Sequence, residues 1–358
     1  MSLNAITPID DLGVLHVSGA DALDFLHRQL SNDFALLKHD AARLAAFLSP
    51  KGRMQASFIG VRYGASDVLL LAHRSVLAAV HKRLSMYVLR AKVRISDASA
   101  QWRLRGLMGD AIATAAALPI WAGSAASALP LQPWQAVASA AAVAGPAPDA
   151  AAGTAATGTT DQAASGAAWL IGLYPAGQSA RALWISAAAD AQALPPDTDA
   201  AVWAWSEAAS GIATISQGVV DQFVPQMLNY ESIGGVNFKK GCYPGQEVVA
   251  RSQFRGAIKR RAYLAQGLAT HLPEPGTEIF TPSDPQQPCG VLVQAAWQPQ
   301  PAQPQPGQSQ PGAGQSAPFA AIVSLKIAHA QEPVHWLHGG QALALRLDAV
   351  PYPLLEDI

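Results

Sequence analysis

The chain has few cysteines and few charged residues for its length. Only two cysteines, Cys242 and Cys289, occur among 358 residues. They are too few for a disulfide-stapled secreted scaffold, and their spacing is not that of a zinc ribbon, so a reducing, cytoplasmic location is expected. Charged residues make up 14% of the chain, and 24 Lys and Arg against 25 Asp and Glu leave a formal charge of −1. This balance excludes a general nucleic-acid coat protein, and any anion site has to be local.

Long hydrophobic runs are also missing. The N-terminus has no basic head followed by an apolar stretch, and no run approaches the roughly 18 apolar residues of a membrane span. Neither an export signal nor a membrane anchor is therefore expected. Hydrophobic residues nevertheless make up 50% of the chain, which is enough to offset the ordering entropy of folding and excludes a wholly disordered or fibrous protein. At roughly 150 residues per domain, the length predicts two to three domains.

The N-terminal part mixes strand and helix patterns. Its predicted strands are residues 12–17, 43–48, 53–62, 67–72 and 91–96, and its predicted helices follow residue 21 and cover 74–86. This mixture predicts an α+β fold with antiparallel strands. We expect a region over residues 1–261, with an α+β unit of about residues 42–105 inserted into it.

Two segments of low complexity interrupt the pattern. Residues 139–168 are mainly Ala, Gly, Thr, Pro and Ser, and residues 298–318 are mainly Gln, Pro, Gly and Ser. Because neither buries enough apolar surface to hold one conformation, the first is predicted to be a flexible loop and the second a disordered one. Short strands with turn signals surround the second segment, which predicts a small C-terminal β-barrel-like domain over residues 262–358.

Residues 234–251, GGVNFKKGCYPGQEVVAR, hold more reactive groups than any other window. Pro244 suits the first position of a helix, which would put the thiol of Cys242 near the positive end of that helix. The helix dipole and the flanking Lys239 and Lys240 favour a thiolate over a thiol. The sequence therefore predicts a reactive Cys242, with a small buried hydrophobe beside a glycine turn as the alternative.

The neighbours of the cysteine suggest a ligand. Gly241 and Gly245 leave room for backbone or ligand to approach. Glu247 and Arg251 are four residues apart, so they form either an ordinary helix-surface ion pair or a site in which Glu247 accepts hydrogen bonds from a heterocycle. A basic run follows, which either binds a phosphate or polycarboxylate or is a solvated face: Arg251, Arg255, Lys259, Arg260 and Arg261.

The octapeptide KGCYPGQE at residues 240–247 resembles the signature of the YgfZ family of folate-binding proteins. That family is related to the aminomethyltransferase GcvT and is tied to iron–sulfur cluster assembly. Other segments that fit the family pattern extend the resemblance over nearly the whole chain: Ser18–Asp21, Phe25-Leu26, Gln29–Asp33, Ser49–Arg53, Gly211-Ile212, Phe223–Asn229, Arg251–Gly256 and Ala349–Leu354.

The resemblance implies a GcvT-like fold, in which two intertwined α+β modules and a β-barrel-like domain surround a central folate pocket. It also implies tetrahydrofolate as the cofactor and iron–sulfur enzymes, their assembly machinery, tRNA or tRNA-modifying enzymes as partners. Cys242 and Lys240 are the candidate catalytic residues. The candidate cofactor-binding residues are Gly241, Tyr243, Gly245, Gln246, Glu247, Arg251, Lys51 and Asn32. Lys51, in a turn, could reach the glutamate tail of a folate or be merely solvated.

One departure from the aminomethyltransferases bears on the chemistry. Where they carry an acidic pair, residues 50–57 read PKGRMQAS and contain no carboxylate. An acid that could manage protons at the folate nitrogen is missing there, which disfavours glycine cleavage. His335 and His338 have an H-x-x-H spacing without a Cys or acidic partner, so no metal site is expected.

Three hypotheses remain open from the sequence. The leading one is a tetrahydrofolate-binding factor that helps to assemble or repair iron–sulfur enzymes, including tRNA-modifying ones, and uses Cys242 at a folate cleft. The second is a one-carbon transferase of the aminomethyl type that acts on an unidentified acceptor. The third is a binding module that docks tRNA or a tRNA-modifying enzyme through the basic run.

Overall fold

A computed structural model describes residues 3–122, 124, 129–146, 165–190, 198–256, 258–299 and 315–355. The strands in these ranges are β1 (Ala5–Pro8), β2 (Leu12–Ser18), β3 (Ala42–Leu48), β4 (Met54–Tyr63), β5 (Asp67–His73), β6 (Arg94–Asp97), β7 (Trp102–Met108), β8 (Ala136–Ala138), β9 (Ala168–Ala176), β10 (Ser179–Ala187), β11 (Arg260–Ala269), β12 (Glu278–Phe280), β13 (Gly290–Trp297), β14 (Ala317–Lys326), β15 (Val334–His338) and β16 (Gln341–Asp348). The helices are α1 (Ala22–Gln29), α2 (Arg74–Ser85), α3 (Ala111–Ala116), α4 (Ala140–Ala144), α5 (Ala200–Ser210) and α6 (Gln246–Phe254). None of these helices is long and apolar enough to cross a bilayer.

Two antiparallel sheets form the N-terminal part of the fold. The first has the strand order β1-β7-β10-β9-β8, and the second has the order β3-β4-β5-β2-β6. All strands of the second sheet lie between β1 and β7 in the sequence, so the second sheet is inserted into the first. Its bounds differ from the predicted 42–105, because β2 pairs with β5 while β7 pairs with β1. Such pairings between distant strands leave no local signal in the sequence.

The inserted sheet is covered by helices that match the amphipathic patterns. Helix α1 buries Ala22, Phe25 and Leu26, which recur at the three- and four-residue spacing of one helix face. Helix α2 buries Val76, Val80 and other residues at the same spacing. Both helices pack on one hydrophobic cluster with the inward-facing side chains of the sheet. Burying each large apolar side chain contributes about 1.5–3 kcal/mol.

The C-terminal part contains a closed barrel. Its strand order is β11-β14-β13-β12-β15-β16, and pairing of β11 with β16 closes it. The mixed α/β architecture with a C-terminal barrel confirms the predicted fold class. Strand β14 begins at Ala317, inside the segment predicted to be disordered, while residues 300–314 of that segment lie outside the described residues.

The other low-complexity segment also begins as regular structure. Residues 140–144 form α4 rather than part of a flexible loop, because the Ser139 hydroxyl accepts a hydrogen bond from the Ala142 N–H at 3.2 Å and caps the helix. Ala142 is fully buried against the core of the first sheet. Residues 147–164 lie outside the described residues.

A third hydrophobic cluster joins the two sheets to the barrel. It contains Leu44 of β3, Tyr230, Val293 of β13 and Tyr352 near the C-terminus. The Tyr352 hydroxyl donates to the carbonyl of Gly211 at 2.9 Å, so the chain returns from the barrel to the end of α5. The functional site lies beside this cluster.

Candidate functional site

A central cavity lies between the two sheets and the segment that follows α5. The space inside it that is open to a water-sized molecule is about 30 Å³. Its aromatic walls are Trp134, Tyr174 and Tyr230, and its main polar groups are Ser57, Arg181 and Glu207. A mostly apolar lining with a few converging polar groups is typical of a small-molecule site, but the space is far smaller than the roughly 300–1,000 Å³ of such sites.

Arg181 is the structural centre of the polar side of the cavity. It is the only charged residue of β10, and its side chain is 1% exposed. The guanidinium donates to the Ser206 hydroxyl at 2.9 Å, to the Tyr174 carbonyl at 3.3 Å and to the Glu207 carboxylate, and it stacks 4.4 Å from the Trp203 ring centroid. Burial lowers the pKa of Arg181 to about 9, so it keeps its charge at neutral pH. The carboxylate of Glu207 is thereby fixed at the cavity wall.

The aromatic walls are also held in place. The Trp134 indole N–H donates to the Ile233 carbonyl at 2.8 Å, and the Tyr230 hydroxyl donates to the Ala213 carbonyl at 2.6 Å. The Tyr174 ring contacts the Trp134 ring edge-on, with centroids 6.2 Å apart. Burial raises the pKa of both Tyr174 and Tyr230 above the usual range, so both phenols are protonated at neutral pH. The cavity therefore has flat, neutral walls beside one carboxylate.

Helix α6 begins later than the sequence predicted. Gly245 precedes its first residue and has φ 79°, a left-handed conformation, and a Cβ there would come within 2.6 Å of the Ser49 carbonyl oxygen. Only glycine fits this close approach between the two turns. Helix α6 therefore starts at Gln246 rather than Pro244, and Cys242 precedes that start by four residues instead of lying just outside the cap.

Lys240 and Cys242 differ in their exposure to solvent. Cys242 is exposed, whereas Lys240 is 8% exposed. The Lys240 ammonium donates to the Gly241 carbonyl at 3.1 Å and lies 4.5 Å above the centre of the buried Tyr243 ring. Burial lowers the pKa of Lys240 to about 8, while the charges of Asp33 and Cys242 act in the opposite direction. The Lys240 ammonium therefore loses its proton more readily than an ordinary lysine, and it lies within electrostatic reach of the thiol.

A histidine–aspartate pair faces the same segment. His27 Nδ1 lies 3.0 Å from the Asp33 carboxylate. The other ring nitrogen, Nε2, would lie 3.5 Å from a Cβ placed on Gly241, so it faces the cysteine loop. We call His27, Asp33, Lys240 and Cys242 the cysteine cluster. An acid and an imidazole can activate a cysteine nucleophile, but in the described part of the chain His27 and the Cys242 thiol form no hydrogen bond.

The structure does not bring the candidate residues of the sequence analysis to the central cavity. None of them is among its lining residues. Asn32 is buried, and its amide donates to the carbonyls of Leu44 at 2.7 Å and Gly234 at 2.6 Å, which ties the loop to β3. The other candidate cofactor-binding residues differ in exposure: Gly241, Glu247 and Arg251 are exposed, Tyr243 is buried, Gly245 and Gln246 are half-buried, and Lys51 is exposed at a separate pocket.

The basic run does not form one face. Arg251, Arg255 and Lys259 are exposed, but the Arg261 side chain points inward, where it pairs with the buried Glu231 and donates to the Leu355 carbonyl at 3.1 Å. Arg261 lies on β11, where alternate side chains point to opposite faces. Within the described ranges, Glu247 and Arg251 form no ion pair, and no group of three or more His, Cys, Asp or Glu side chains could hold a metal ion.

Sequence reasoning missed the cavity residues Trp134, Tyr174, Arg181 and Glu207. Each comes from a separate element, so no local motif contains them. One signal was available: Arg181 and Glu207 are the only charged residues of the otherwise apolar elements β10 and α5. Isolated charges in such elements are expected to pair or to serve a ligand.

No protein-family model matches the chain. Among solved structures, it is similar to the glycine cleavage system aminomethyltransferase T from Bartonella henselae, at 13% identity and a TM-score of 0.59, over 99% of this chain and 88% of that one. The fold is GcvT-like. A heterotetrameric sarcosine oxidase from Corynebacterium sp. U-96 aligns at 13% identity over 50% of this chain and 73% of that one, with a TM-score of 0.27. At this identity the GcvT likeness shows the fold alone.

The depressed pKa of Lys240 predicts a specific dependence of stability on pH. Between about pH 8 and the unfolded value of 10.5, the unfolded lysine holds a proton that the folded one has lost, so the unfolding free energy should rise with pH. Lys240→Met should lack this rise, and the exposed Lys239→Met should keep it. Guanidinium midpoints at about pH 7 and about pH 10 measure the difference. Identical slopes in the wild type and Lys240→Met would contradict the burial effect.

Proposed function

We propose that this chain binds tetrahydrofolate in the central cavity and serves as an accessory factor for the assembly or repair of iron–sulfur enzymes, including tRNA-modifying ones. The observation that carries the proposal is the Glu207 carboxylate, held by a fully buried Arg181 at the wall of an aromatic cavity. In this proposal the exposed thiol of Cys242 is the group that contacts the partner iron–sulfur enzyme. The YgfZ resemblance of residues 240–247 supports this role.

The groups that line the cavity match a reduced pterin in their chemistry, and the side chains of the walls have to move apart to admit the ring. One edge of that ring presents an amino group and a ring N–H side by side, and a carboxylate such as Glu207 can accept both hydrogen bonds. Its flat faces suit the rings of Trp134 and Tyr174. Arg181 pairs with Glu207 and orients its carboxylate. When bound, tetrahydrofolate supplies nitrogens that carry one-carbon units.

The cysteine cluster contains a thiol and an imidazole, neither of which lines the central cavity. With Asp33 accepting from His27 Nδ1–H, His27 Nε2 is left as a proton acceptor that faces the cysteine loop. The Lys240 ammonium lies within electrostatic reach of the Cys242 thiol. A thiolate is suited to contact iron, a sulfur species or a one-carbon adduct, and we leave these three uses open. Because Cys242 is exposed and does not line the cavity, a docking protein can reach it directly.

A folate-dependent aminomethyl-type transferase is the second candidate. The GcvT-like fold favours it. Against it, Glu207 is the one carboxylate among the described residues that line the cavity, and it is engaged by Arg181. Strand β4 contains no carboxylate either. These observations favour binding over aminomethyl transfer.

A tetrahydrofolate titration of three proteins tests the binding site. The tryptophan fluorescence of the wild type, which includes that of Trp134 at the cavity, should be quenched saturably. Glu207→Gln should weaken the affinity about tenfold to a hundredfold, because it removes a charged hydrogen-bond partner, whereas Glu247→Gln should bind as the wild type does. Loss of affinity only in Glu247→Gln would instead move the ring to the cysteine segment, and no saturable binding would overturn the proposal.

Turnover separates the two candidate functions. Purified protein incubated with methylene-tetrahydrofolate and candidate amine acceptors should bind the folate stoichiometrically without consuming it. Sustained consumption that is lost in Glu207→Gln would instead establish a transferase. Circular dichroism of Glu207→Gln verifies that a loss of binding is not a loss of fold.

A further inference from the structure

The loop between α2 and β6, residues 86–93, exposes apolar side chains. Leu89 is 88% exposed, Met86 is 69% exposed, and Tyr87 between them is also exposed. A single exposed apolar side chain is ordinary on a protein surface. Three in four consecutive positions form a patch, and exposed apolar patches mark sites of interaction with proteins or membranes. Because β6 is an edge strand of the inserted sheet, the loop lies at the border of the fold.

The loop is braced against the body of the fold. The Lys92 N–H donates to the Asp21 carboxylate at 2.7 Å, and the Asp21 N–H donates to the Lys92 carbonyl at 3.4 Å. Gly19, with φ 115°, lies so close to this carbonyl that a Cβ there would collide with it. Val88 and Ala91 turn inward and pack against the hydrophobic cluster under α1 and α2. The remaining apolar side chains of the loop are thereby held toward solvent.

Leu89 is unfavourable in two ways. Its φ is 31°, in the left-handed region that favours glycine. Its side chain also stays in water, where an apolar group costs free energy. A surface that takes this side chain out of water would remove the second cost. Leu89 is therefore the position at which a partner gains most.

Cations surround this apolar tip. Residues 68–96 contain no Asp or Glu. Their cations are Arg74, Lys82, Arg83, Arg90, Lys92 and Arg94. Lys82, Arg90 and Lys92 are exposed, and within the described ranges they form no ion pair. Of the carboxylates on the adjoining α1 turn, Asp21 accepts from the loop backbone and Asp24 pairs with Arg28. This end of a chain with a formal charge of −1 is therefore locally positive and attracts an anionic partner.

The size of the patch decides between kinds of anionic partner. A stable protein interface takes about 800 Å² from each side, whereas the loop offers three apolar side chains on a projecting turn. RNA would use the cations but leave Met86 and Leu89 in water. At a lipid surface, apolar side chains enter the boundary between headgroups and acyl chains while Lys and Arg contact anionic headgroups. Only the lipid surface uses both features of the loop.

We propose that residues 86–93 attach this protein peripherally to a membrane surface that carries anionic phospholipid. Met86 and Leu89 enter the interfacial region, and Lys82, Arg90 and Lys92 contact the headgroups. The attachment is reversible, because so few apolar side chains insert weakly and depend on the added attraction of the cations. The inference does not depend on folate binding in the central cavity.

Vesicle sedimentation tests the inference. The wild type should bind phosphatidylcholine vesicles that contain about 30% phosphatidylglycerol about tenfold more tightly than pure phosphatidylcholine vesicles, and high salt should remove this preference. Met86→Ser/Leu89→Ser should weaken binding to the anionic vesicles about tenfold or more. Lys82→Gln/Arg90→Gln should weaken it by about as much. Leu268→Ser, which removes a side chain that is 63% exposed on barrel strand β11, should bind as the wild type does.

Several outcomes would overturn the inference. One is a wild type that does not sediment with the anionic vesicles, and another is a Met86→Ser/Leu89→Ser variant that binds them as the wild type does. Retention of a tRNA-sized RNA that is lost only in Lys82→Gln/Arg90→Gln, without vesicle binding, would show an RNA surface instead. Wild-type guanidinium midpoints verify that the variants fold. Tetrahydrofolate titration of the same variants should be unchanged, so a failure of folate binding concerns the proposed function alone.

Discussion

Arg181→Met should lower the unfolding free energy by about 3–5 kcal/mol, the cost of breaking a buried ion pair from one side. The variant loses the hydrogen bonds to Ser206 and the Tyr174 carbonyl as well as the contact with Trp203, and it leaves Glu207 without its cation. Chemical denaturation measures the change. Arg103→Met, which removes an exposed arginine of β7 in the same sheet, should change the stability by less than about 0.5 kcal/mol.

A second variant separates stability from ligand binding. In the double variant Arg181→Met/Glu207→Leu, no charge is left uncompensated, so much of the lost stability should return. Tetrahydrofolate binding should not return, because the accepting carboxylate is gone. An Arg181→Met protein as stable as the wild type would contradict the central role of the pair. A double variant that binds folate normally would remove Glu207 from the site.

Cys242→Ser should abolish the support that this protein gives to iron–sulfur enzymes. In cells that depend on the chain, we expect the activity of such enzymes under oxidative stress to fall at least tenfold at unchanged protein level, because serine supplies no soft thiolate at neutral pH. Cys289→Ser is the matched control: Cys289 is buried and donates to the Ile279 carbonyl at 3.3 Å, a bond that serine keeps. Full activity of Cys242→Ser would remove the thiol from the mechanism.

Two further measurements show which step the loss of the Cys242 thiol affects. Purified Cys242→Ser should bind tetrahydrofolate with wild-type affinity, because Cys242 does not line the cavity. His27→Gln should slow alkylation of Cys242 by iodoacetamide and change its pH profile, because the imidazole facing the loop is lost. An unchanged profile would show that His27 and Asp33 only support the loop.

Local patterns in the sequence predicted the elements more accurately than their arrangement. The predicted strand 67–72 is observed as Asp67–His73, and the predicted helix 74–86 as Arg74–Ser85, because alternation and helical periodicity act over neighbouring residues. The rule that proline starts a helix failed at Pro244, since tertiary contact with the Ser49 turn imposes a left-handed Gly245. A local rule cannot include such a contact.

The site itself depends on distant contacts. The octapeptide around Cys242 drew attention because its reactive groups are adjacent in sequence, and the structure places it at the surface. The cavity draws Ser57, Trp134, Arg181 and Tyr230 from separate parts of the chain. Except for the lone charge of Arg181 in β10, these residues look unremarkable beside their neighbours, and only the packing of the two sheets with the segment after α5 brings them together.

The return of Tyr352 to Gly211 links the chain after the last barrel strand to the wall of the central cavity. Its ring also contacts Tyr174, with centroids 5.5 Å apart, and Tyr174 lines the cavity. A fragment that ends before Tyr352 would contain every residue that lines the cavity, but it would lack the ring that packs behind Tyr174. If the cavity binds tetrahydrofolate as proposed, a truncation before Tyr352 should therefore weaken that binding.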